Sequence, residues 1–230
     1  MKRNIILSIA CLCGIMAAQA EPAPFGTNLE WEIVHDTLFI TSPEPAQPAQ
    51  MSFIGDVPWD ASMATITRVE LPDNLTDIGQ MAFMNCTDLA SIDLPDVTVI
   101  KDYAFYGCTS LAEITLPASL QEIKSYAFNG SSLATVYCLA TTPPTLSAND
   151  VFAGCDASLA ICVPSEAALI QYRAADNWKT LYYDELQVCS KDPADIDQVN
   201  ANAGAVKIIE YNQLLILRNN EKYTVTGQKL

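Results

Sequence analysis

Apolar residues return at regular intervals through the middle of the chain, from residue 66 to residue 164. The pair Leu-Pro recurs at spacings of 23 and 22 residues, and the pair Ala-Phe at spacings of 22 and 23. The first residues of these pairs are Leu71, Leu94 and Leu116, and Ala82, Ala104 and Ala127. A short alternating segment precedes each Leu-Pro, which predicts a strand with one buried face. The proline ends the ladder and turns the chain.

Each copy divides its side chains between an interior and an exterior. The inward strand positions are Val69 and Leu71, Ile92 and Leu94, Ile114 and Leu116, and Val136 and Cys138. The return limb adds Leu75 and Ile78, Val97 and Ile100, and Leu120 and Ile123. The repeat phenylalanines, which should fill the wide end of the coil, are Phe83, Phe105, Phe128 and Phe152.

One repeat cannot bury enough apolar surface to offset the entropy of ordering about twenty residues, so the copies must stack. A repeat length of a little over twenty residues with the motif LxxIxLP is typical of a leucine-rich repeat solenoid. We therefore predict such a solenoid, α/β or mainly β, over residues 66–164. Three copies follow the pattern fully and a fourth follows it in part, so we expect about four coils.

Both ends of a solenoid need a cap that covers the apolar interior. Residues 21–65 predict an N-terminal β-hairpin cap, with strands at Leu29–Val34 and Thr37–Ile40 joined at His35-Asp36, followed by Trp59. Residues 165–189 predict a helical C-terminal cap that begins at Ser165, a good N-cap residue. Residues 190–204 are polar and predict a linker, and residues 205–230 predict a short tail of two or three strands.

The first twenty residues have the organisation of a secretory signal peptide. A basic start precedes an apolar run, and Ala18-Gln19-Ala20 supplies a cleavage site after Ala20. The apolar run is too short for a comfortable membrane span. The full chain carries a formal charge of −15, and without the signal the charge is −17. Such a chain repels nucleic-acid phosphate and anionic lipid, so we expect no nucleic-acid partner and no membrane insertion.

The six cysteines beyond the signal follow the repeat. Cys86, Cys108 and Cys155 each lie three residues after a repeat phenylalanine, which predicts a stack of small buried side chains. Cys138 occupies an inward strand position, whereas alternation places Cys162 outward. Adjacent cysteines that point in opposite directions are poorly placed for a disulfide, so we expect mostly free, buried thiols.

The chain offers little that resembles catalytic or metal-binding chemistry. Its single histidine, His35, lies at the predicted hairpin turn, far in sequence from every cysteine. Glu70 and Asp93 should lie side by side on adjacent coils, but an open strand face gives no water-excluding pocket to raise the pKa of one carboxyl. Asp192, Asp195 and Asp197 only loosely suggest a calcium loop, since no glycine turn or distal glutamate completes it. We expect no enzyme, no cofactor and no metal.

The outward strand positions make the best candidate for a binding face. They are Arg68, Glu70, Ser91, Asp93, Glu113, Thr115, Thr135 and Tyr137. Solenoids present such rows as extended binding surfaces, although a merely soluble exterior is an equally good explanation. Tyr103, Tyr106 and Tyr126 form a second candidate binding patch. The alternative is that they serve only to pack over the Ala-Phe corner.

Residues 66–137 resemble the BspA-like leucine-rich repeat family of proteins exported by anaerobic bacteria, whose repeat reads LxxIxLPxxVxxIxxxAFxxCxxL. The likeness extends upstream to the LxW hairpin and Pro58-Trp59. It extends downstream to CxAxxPP at Cys138 and to the VP…Y…W pattern that ends at Trp178. The third copy departs from the family pattern because it lacks the cysteine. The last residues, YTVTGQKL, more weakly resemble the tails of many exported proteins.

This resemblance implies a secreted or cell-surface protein that binds a host extracellular or cell-surface protein and acts in adhesion. Two alternatives stay open. One is a carbohydrate-binding accessory of glycan uptake, and the other is a purely structural component of the envelope. An aromatic platform would favour sugar, whereas a charged strip favours protein, and the strand face here is charged.

Overall fold

A computed structural model describes residues 23–51, 57–182 and 184–189, together with the tail strands 205–210, 213–218 and 221–224. The chain divides into two units, Met1–Gln187 and Val188–Leu230. The predicted signal peptide and the predicted linker, residues 190–204, lie outside the described residues. The repeats and both caps belong to the first unit.

The N-terminal cap is a small antiparallel sheet that joins the first repeat through its backbone. Strand β1 (Ala23–Phe25) pairs with β2 (Leu29–Val34), which pairs with β3 (Thr37–Thr41). A 3-10 helix follows at Asp60–Thr65. Strand β3 then pairs in parallel with β4 (Arg68–Glu70), the first strand of the repeats. The predicted hairpin is confirmed, and it extends the solenoid sheet by three strands.

Beyond β4 the chain alternates between two sides of a solenoid. One side carries the short strands β5 (Asp77–Ile78), β6 (Val99–Ile100), β8 (Glu122–Ile123) and β10 (Thr145–Leu146), which form one continuous parallel ladder. The other side carries β7 (Glu113–Leu116), β9 (Thr135–Cys138), β11 (Ala160–Val163) and β12 (Leu186–Val188). The solenoid makes about five turns, because β11 pairs with β9 and begins a turn beyond the four sequence copies.

A column of aromatic rings fills the interior from one end of the solenoid to the other. The rings of Phe83, Phe105, Phe128 and Phe152 stack in that order with centroids 5.3, 5.2 and 5.3 Å apart. Trp59 stacks on the first ring at 6.3 Å, and Trp178 lies 6.2 Å from the last. The predicted filling of the coil by phenylalanine is confirmed, and a buried tryptophan closes each end.

The two end tryptophans also bond to the repeats through their indole N–H groups. Trp59 Nε1 donates to the carbonyl of Ala82 at 2.8 Å, and Trp178 Nε1 donates to the carbonyl of Pro144 at 2.7 Å. A buried indole needs such an acceptor, since an unpaired buried donor is costly. Each tryptophan therefore covers the aromatic column and also satisfies a carbonyl of the repeats.

The C-terminal cap consists of helices α1 (Glu166–Ala174) and α2 (Trp178–Leu181). The Ser165 hydroxyl accepts a hydrogen bond from the backbone N–H of Ala168 at 3.2 Å, which confirms the predicted N-cap. Ala168 and Leu169 are buried, as is Tyr172, whose hydroxyl donates to the carbonyl of Ala140. The apolar side of this helix, formed by Ala168, Leu169 and Tyr172, thus packs on the end of the solenoid.

The second unit contains an antiparallel three-stranded sheet. Its strands are β13 (Ala205–Glu210), β14 (Gln213–Arg218) and β15 (Glu221–Thr224), in that order across the sheet. These strands lie within residues 205–230, the predicted tail.

A buried carboxylate anchors the chain before the repeats. Asp77, in β5, accepts a hydrogen bond from the backbone N–H of Met51 at 2.9 Å and forms an ion pair with Lys101 of the next coil. The Lys101 ammonium also donates to the carbonyl of Met51 at 3.3 Å. Both backbone groups of Met51 are thus held by charged side chains, which the repeat pattern did not indicate.

The cysteine positions form the predicted stack, with one replacement. Cys86 and Cys108 are fully buried free thiols, and Cys155 is a free thiol that is half-buried. Ser131 occupies the same place in the third coil and donates to the carbonyl of Phe128 at 2.7 Å. The thiol of Cys108 donates instead to the carbonyl of Phe83 in the preceding coil. The third copy therefore keeps a donor at this place although it lacks the cysteine.

The prediction for Cys162 was wrong. Cys138 is buried and free as expected, but Cys162 is also buried, and it is disulfide-bonded, as is Cys189. Alternation correctly indicates which side of a strand a residue occupies. It does not indicate whether another part of the chain covers that side, and Cys162 is buried there.

The turn after each phenylalanine requires a left-handed backbone. Asn85, Gly107, Gly130 and Gly154 share this place in successive coils, with φ between 58° and 73°. Only glycine and, less readily, asparagine adopt this region at low cost. A Cβ atom at Gly130 would lie 4.0 Å from its nearest neighbour, the backbone nitrogen of Gly107, so there is space for a methyl group.

We predict that Gly130→Ala lowers the free energy of unfolding by roughly 1–2 kcal/mol, because the backbone becomes strained although the methyl group fits. Urea denaturation with an unchanged m-value measures the loss. Asn85→Gly at the matching place is the control, and it should change stability little. Equal stability of wild type and Gly130→Ala would show that this turn tolerates a side chain.

The buried thiols should make stability depend on alkaline pH. Burial raises the pKa of Cys86 from 9.0 to about 12 and also raises the pKa of Cys108. Between these values the folded thiol keeps a proton that the unfolded thiol has lost. The buried thiols therefore contribute their whole share to the free energy of unfolding below about pH 9. This contribution falls as the pH rises toward 12, by up to about 1.4 kcal/mol per pH unit for each thiol.

Cys108→Ser should reduce this slope by the contribution of one thiol, because a hydroxyl preserves the donor, as Ser131 does, and does not titrate. Urea denaturation at about pH 8 and about pH 10 measures the slope. Ser131→Ala is the control, and it should shift stability equally at both pH values. A slope that Cys108→Ser leaves unchanged would contradict the assignment to this thiol.

Candidate functional site

The outward strand positions lie on the exterior, on the side of the solenoid that carries the long strands. Five of them are exposed, namely Arg68, Glu70, Ser91, Asp93 and Glu113. The other three are half-buried, namely Thr115, Thr135 and Tyr137. The structure thus places all eight residues on one face. The exposed end of this face is charged, and the half-buried end carries hydroxyl groups.

The backbone ladder of this face is interrupted at the second coil. Residues 91–94 occupy the place between β4 and β7, but no backbone hydrogen bond joins them to either strand. On the opposite side the ladder runs without a break from β5 through β6 to β8. The second coil is therefore joined to both neighbours by strand pairing on one side, and on the other side residues 91–94 are joined to neither.

The interruption exposes side chains that are buried in later coils. Leu71 and Leu94 are half-buried, whereas Leu116 and Cys138 at the corresponding place are only 1% and 2% exposed. The difference lies in the surroundings, since the four residues have the same position in the repeat. The partly exposed leucines give the gap an apolar floor.

This gap is an open cleft of about 500 Å³ between the first and second coils, hereafter the coil 1–2 cleft. Its polar lining residues include the carboxylates of Glu70, Asp73 and Asp93 and the guanidinium of Arg68. All four side chains are exposed, and no ion pair involves any of them within the described part of the chain. The cleft therefore combines an apolar floor with an acidic rim.

The rival tyrosine patch has a different geometry. The rings of Tyr103 and Tyr126 stack with centroids 4.9 Å apart and an angle of 11°, and Tyr106 packs on Tyr103 at 5.7 Å. All three residues are half-buried. Because Tyr103 and Tyr126 stack on each other, one face of each of these two rings is covered and not available to a ligand.

The described residues hold no other arrangement that indicates chemistry. No group of three or more histidine, cysteine, aspartate or glutamate side chains among them is placed to bind a metal. His35 is exposed at the hairpin turn. The loosely calcium-like Asp192, Asp195 and Asp197 lie outside the described residues. Within the described residues, no helix has the length and apolar character needed to cross a membrane.

Comparison with known proteins identifies the repeats. The model of the BspA type leucine-rich repeat region matches residues 60–182 in six copies. The chain belongs to this family. The match begins at the 3-10 helix that follows Trp59 and ends just after α2, so it covers the aromatic column that the two tryptophans close.

One solved structure is similar to part of this chain. It is the crystal structure, at 1.19 Å resolution, of a leucine-rich repeat protein from Bacteroides ovatus, which is 23% identical with a TM-score of 0.41. The match covers 59% of this chain and 39% of that protein, so the chain spans well under half of its relative. Among curated proteins, no sequence matches this chain.

Sequence reasoning found the residues of the face but missed the coil 1–2 cleft. The second copy, LASIDLPDVTVI, has aliphatic residues at the same inward positions as its neighbours and predicts an equivalent strand. Hydrogen bonding between coils depends on their separation, which is not encoded in the alternation of one copy. No signal in the sequence distinguishes the second copy from the third in this respect.

We predict that the amides of residues 91–94 exchange with solvent roughly a hundredfold or more faster than that of Val136 in β9, which lies between two paired strands. The reason is that residues 91–94 donate no backbone hydrogen bond. Hydrogen exchange followed by NMR measures the rates. Protection of residues 91–94 equal to that of Val136 would show that the ladder closes in solution.

Proposed function

We propose that this chain is an exported, non-catalytic protein-binding module that acts in adhesion at the bacterial cell surface. Its partner is a host extracellular or cell-surface protein, and its binding surface is the face that runs from Arg68 to Tyr137. The observation that supports this proposal most directly is the coil 1–2 cleft within that face, because it combines apolar and charged groups on an otherwise polar surface.

Membership of a leucine-rich repeat family supports binding over catalysis. Solenoids of this kind expose one long face whose residues can change without affecting the interior. Here the aromatic column and the apolar strand positions fill the interior, whereas the outward residues at the charged end of the face, Arg68, Glu70, Ser91, Asp93 and Glu113, are exposed. A binding role explains why charged groups are concentrated at one end of the face.

The charge of the chain supports a protein partner with a basic surface. Excluding the signal, 27 acidic residues stand against 10 basic ones. Like charges repel, so an acidic partner would be disfavoured, whereas a basic surface would be attracted from a distance at low ionic strength. Three exposed carboxylates in the coil 1–2 cleft concentrate this charge in one place.

The disulfide-bonded Cys162 and Cys189 support export. Disulfides persist in oxidising compartments and are rare in a reducing cytosol. The free thiols are compatible with an oxidising compartment, because three of the four described ones are buried and therefore shielded from oxidants in solution. Burial also raises their pKa, which disfavours the reactive thiolate. This reasoning supports a secreted or cell-surface location, with signal cleavage after Ala20.

Carbohydrate binding is the alternative from another class. Sugar rings pack against the open face of an aromatic side chain, and the tyrosine patch is the candidate for such a contact. The stacking of Tyr103 on Tyr126 occupies one face of each ring, which weakens this candidate. A purely structural role in the envelope requires no ligand and is the outcome if nothing binds.

Parallel binding assays test the proposal. The secreted chain is immobilised and exposed to a panel of host extracellular proteins and to a glycan array. We expect retention of at least one protein, no sugar binding, and a loss of about fivefold or more in affinity for Tyr137→Ala.

Tyr106→Ala is the matched control, because it removes a half-buried tyrosine outside the proposed surface and should leave binding unchanged. Binding only to sugars would overturn the proposal in favour of the carbohydrate alternative. Protein binding that Tyr137→Ala and Asp93→Ala both leave unaffected would show that this face is not the binding surface.

A further inference from the structure

The coil 1–2 cleft has three kinds of groups that a ligand can use. Its floor contains the half-buried side chains of Leu71 and Leu94. Its rim contains the exposed carboxylates of Glu70, Asp73 and Asp93. Its wall includes the backbone of residues 91–94, whose N–H and C=O groups lack hydrogen-bond partners from the neighbouring strands. Such groups require water or a ligand, since unpaired backbone polar groups are costly when they are removed from water.

These groups match the chemistry of a long basic side chain. Lysine and arginine combine an apolar stem with a cationic end, and the stem packs on apolar surface while the charge stays near polar groups. Carboxylates accept charge-assisted hydrogen bonds from such cations, and backbone carbonyls accept further ones. An anionic ligand would meet three carboxylates, and a purely apolar ligand would leave them desolvated without a partner.

Arg68 makes one end of the cleft less favourable for a cation than the other. Its guanidinium also lines the cleft and has no ion-pair partner among the described residues, so it repels a second cation from its own end. Asp73 follows the strand at the other end, immediately after the Leu71-Pro72 pair. A bound cation is therefore favoured near Asp73 and Asp93 and disfavoured near Arg68.

We propose that the coil 1–2 cleft binds a single lysine or arginine side chain of the partner protein, with the stem on Leu71 and Leu94 and the cation among Glu70, Asp73 and Asp93. This inference rests on the proposed function and specifies the chemistry of the partner. It makes the cleft the centre of recognition and assigns the remaining outward residues to the surrounding contact area.

Short blocked peptides test the cleft without knowledge of the partner. The probes are acetyl-Gly-Lys-Gly-amide, acetyl-Gly-Arg-Gly-amide and acetyl-Gly-norleucine-Gly-amide, the last of which has a lysine-like stem without the charge. In NMR titrations of the secreted chain, we expect the two basic probes to shift the methyl signals of Leu71 and Leu94 and the amide of Asp93. We expect weaker binding in higher salt. The norleucine probe should cause little change.

The double variant Glu70→Gln/Asp93→Asn should weaken binding of the basic probes by about fivefold or more. The control Asp88→Asn/Asp184→Asn removes the same charge at two exposed residues that do not line the cleft, and it should leave binding unchanged. Circular dichroism of both variants confirms that the fold is intact. Equal binding of the norleucine and lysine probes, equal loss in both double variants, or no shift with any probe would overturn the inference.

The same variants separate this inference from the proposed function. A host protein that the wild type and Glu70→Gln/Asp93→Asn retain equally would overturn the role of the cleft and leave the binding function standing. If no host protein is retained while the basic probes still bind in the cleft, the proposed function fails. The inference that the cleft binds a basic side chain then still stands.

Discussion

The stacking of one aromatic ring per coil is the interaction on which the rest of the structure depends. Parallel strands hydrogen-bond at a separation of about 4.7–4.9 Å, and the four phenylalanine rings stack at 5.2–5.3 Å. One spacing between coils therefore satisfies both the backbone ladder and the ring column. Flat rings pack face to face at this spacing, so a phenylalanine at the same place in each coil fills the wide part of the interior along the axis.

The requirement for a common spacing extends to the smaller side chains around the column. A thiol or hydroxyl three residues after each phenylalanine fills a narrow place, and in three coils it donates to a phenylalanine carbonyl. The residue just before this place has a left-handed backbone in all four coils, and it is asparagine once and glycine three times. Ser131 shows that a small donor suffices at this place, since its hydroxyl bonds the phenylalanine carbonyl of its own coil, whereas Cys108 and Cys155 bond that of the preceding coil.

The two sides of the solenoid differ in how tightly the coils are joined. The short strands β5, β6, β8 and β10 are hydrogen-bonded without interruption. On the opposite side, which carries β4, β7, β9 and β11, the ladder is interrupted at residues 91–94. A column held firmly on one side can thus have a cleft on the other without loss of its core. This asymmetry places an accessible, charged surface on a rigid support, which is favourable for binding because little order has to be gained when a partner docks.

Much of this protein was determined by the sequence alone. The hairpin at His35-Asp36, the buried phenylalanines, the inward pairs of the return limb and the cap at Ser165 all follow from local preferences and from a period that repeats along one chain. Such features could be predicted because each depends on residues within one copy or on the same residue recurring at one place.

The tertiary structure alone decided the features that depend on differences between copies or on distant segments. The disulfide-bonded state of Cys162 and Cys189, the contacts of Asp77 with Met51 and Lys101, and the cleft beside Leu94 belong to this class. The second and third copies have equivalent inward residues, yet only one forms a hydrogen-bonded strand on the outer face. Hydrogen bonds between coils depend on distances of a few tenths of an ångström, and these are set by the packing of the whole solenoid and not by the alternation within one repeat.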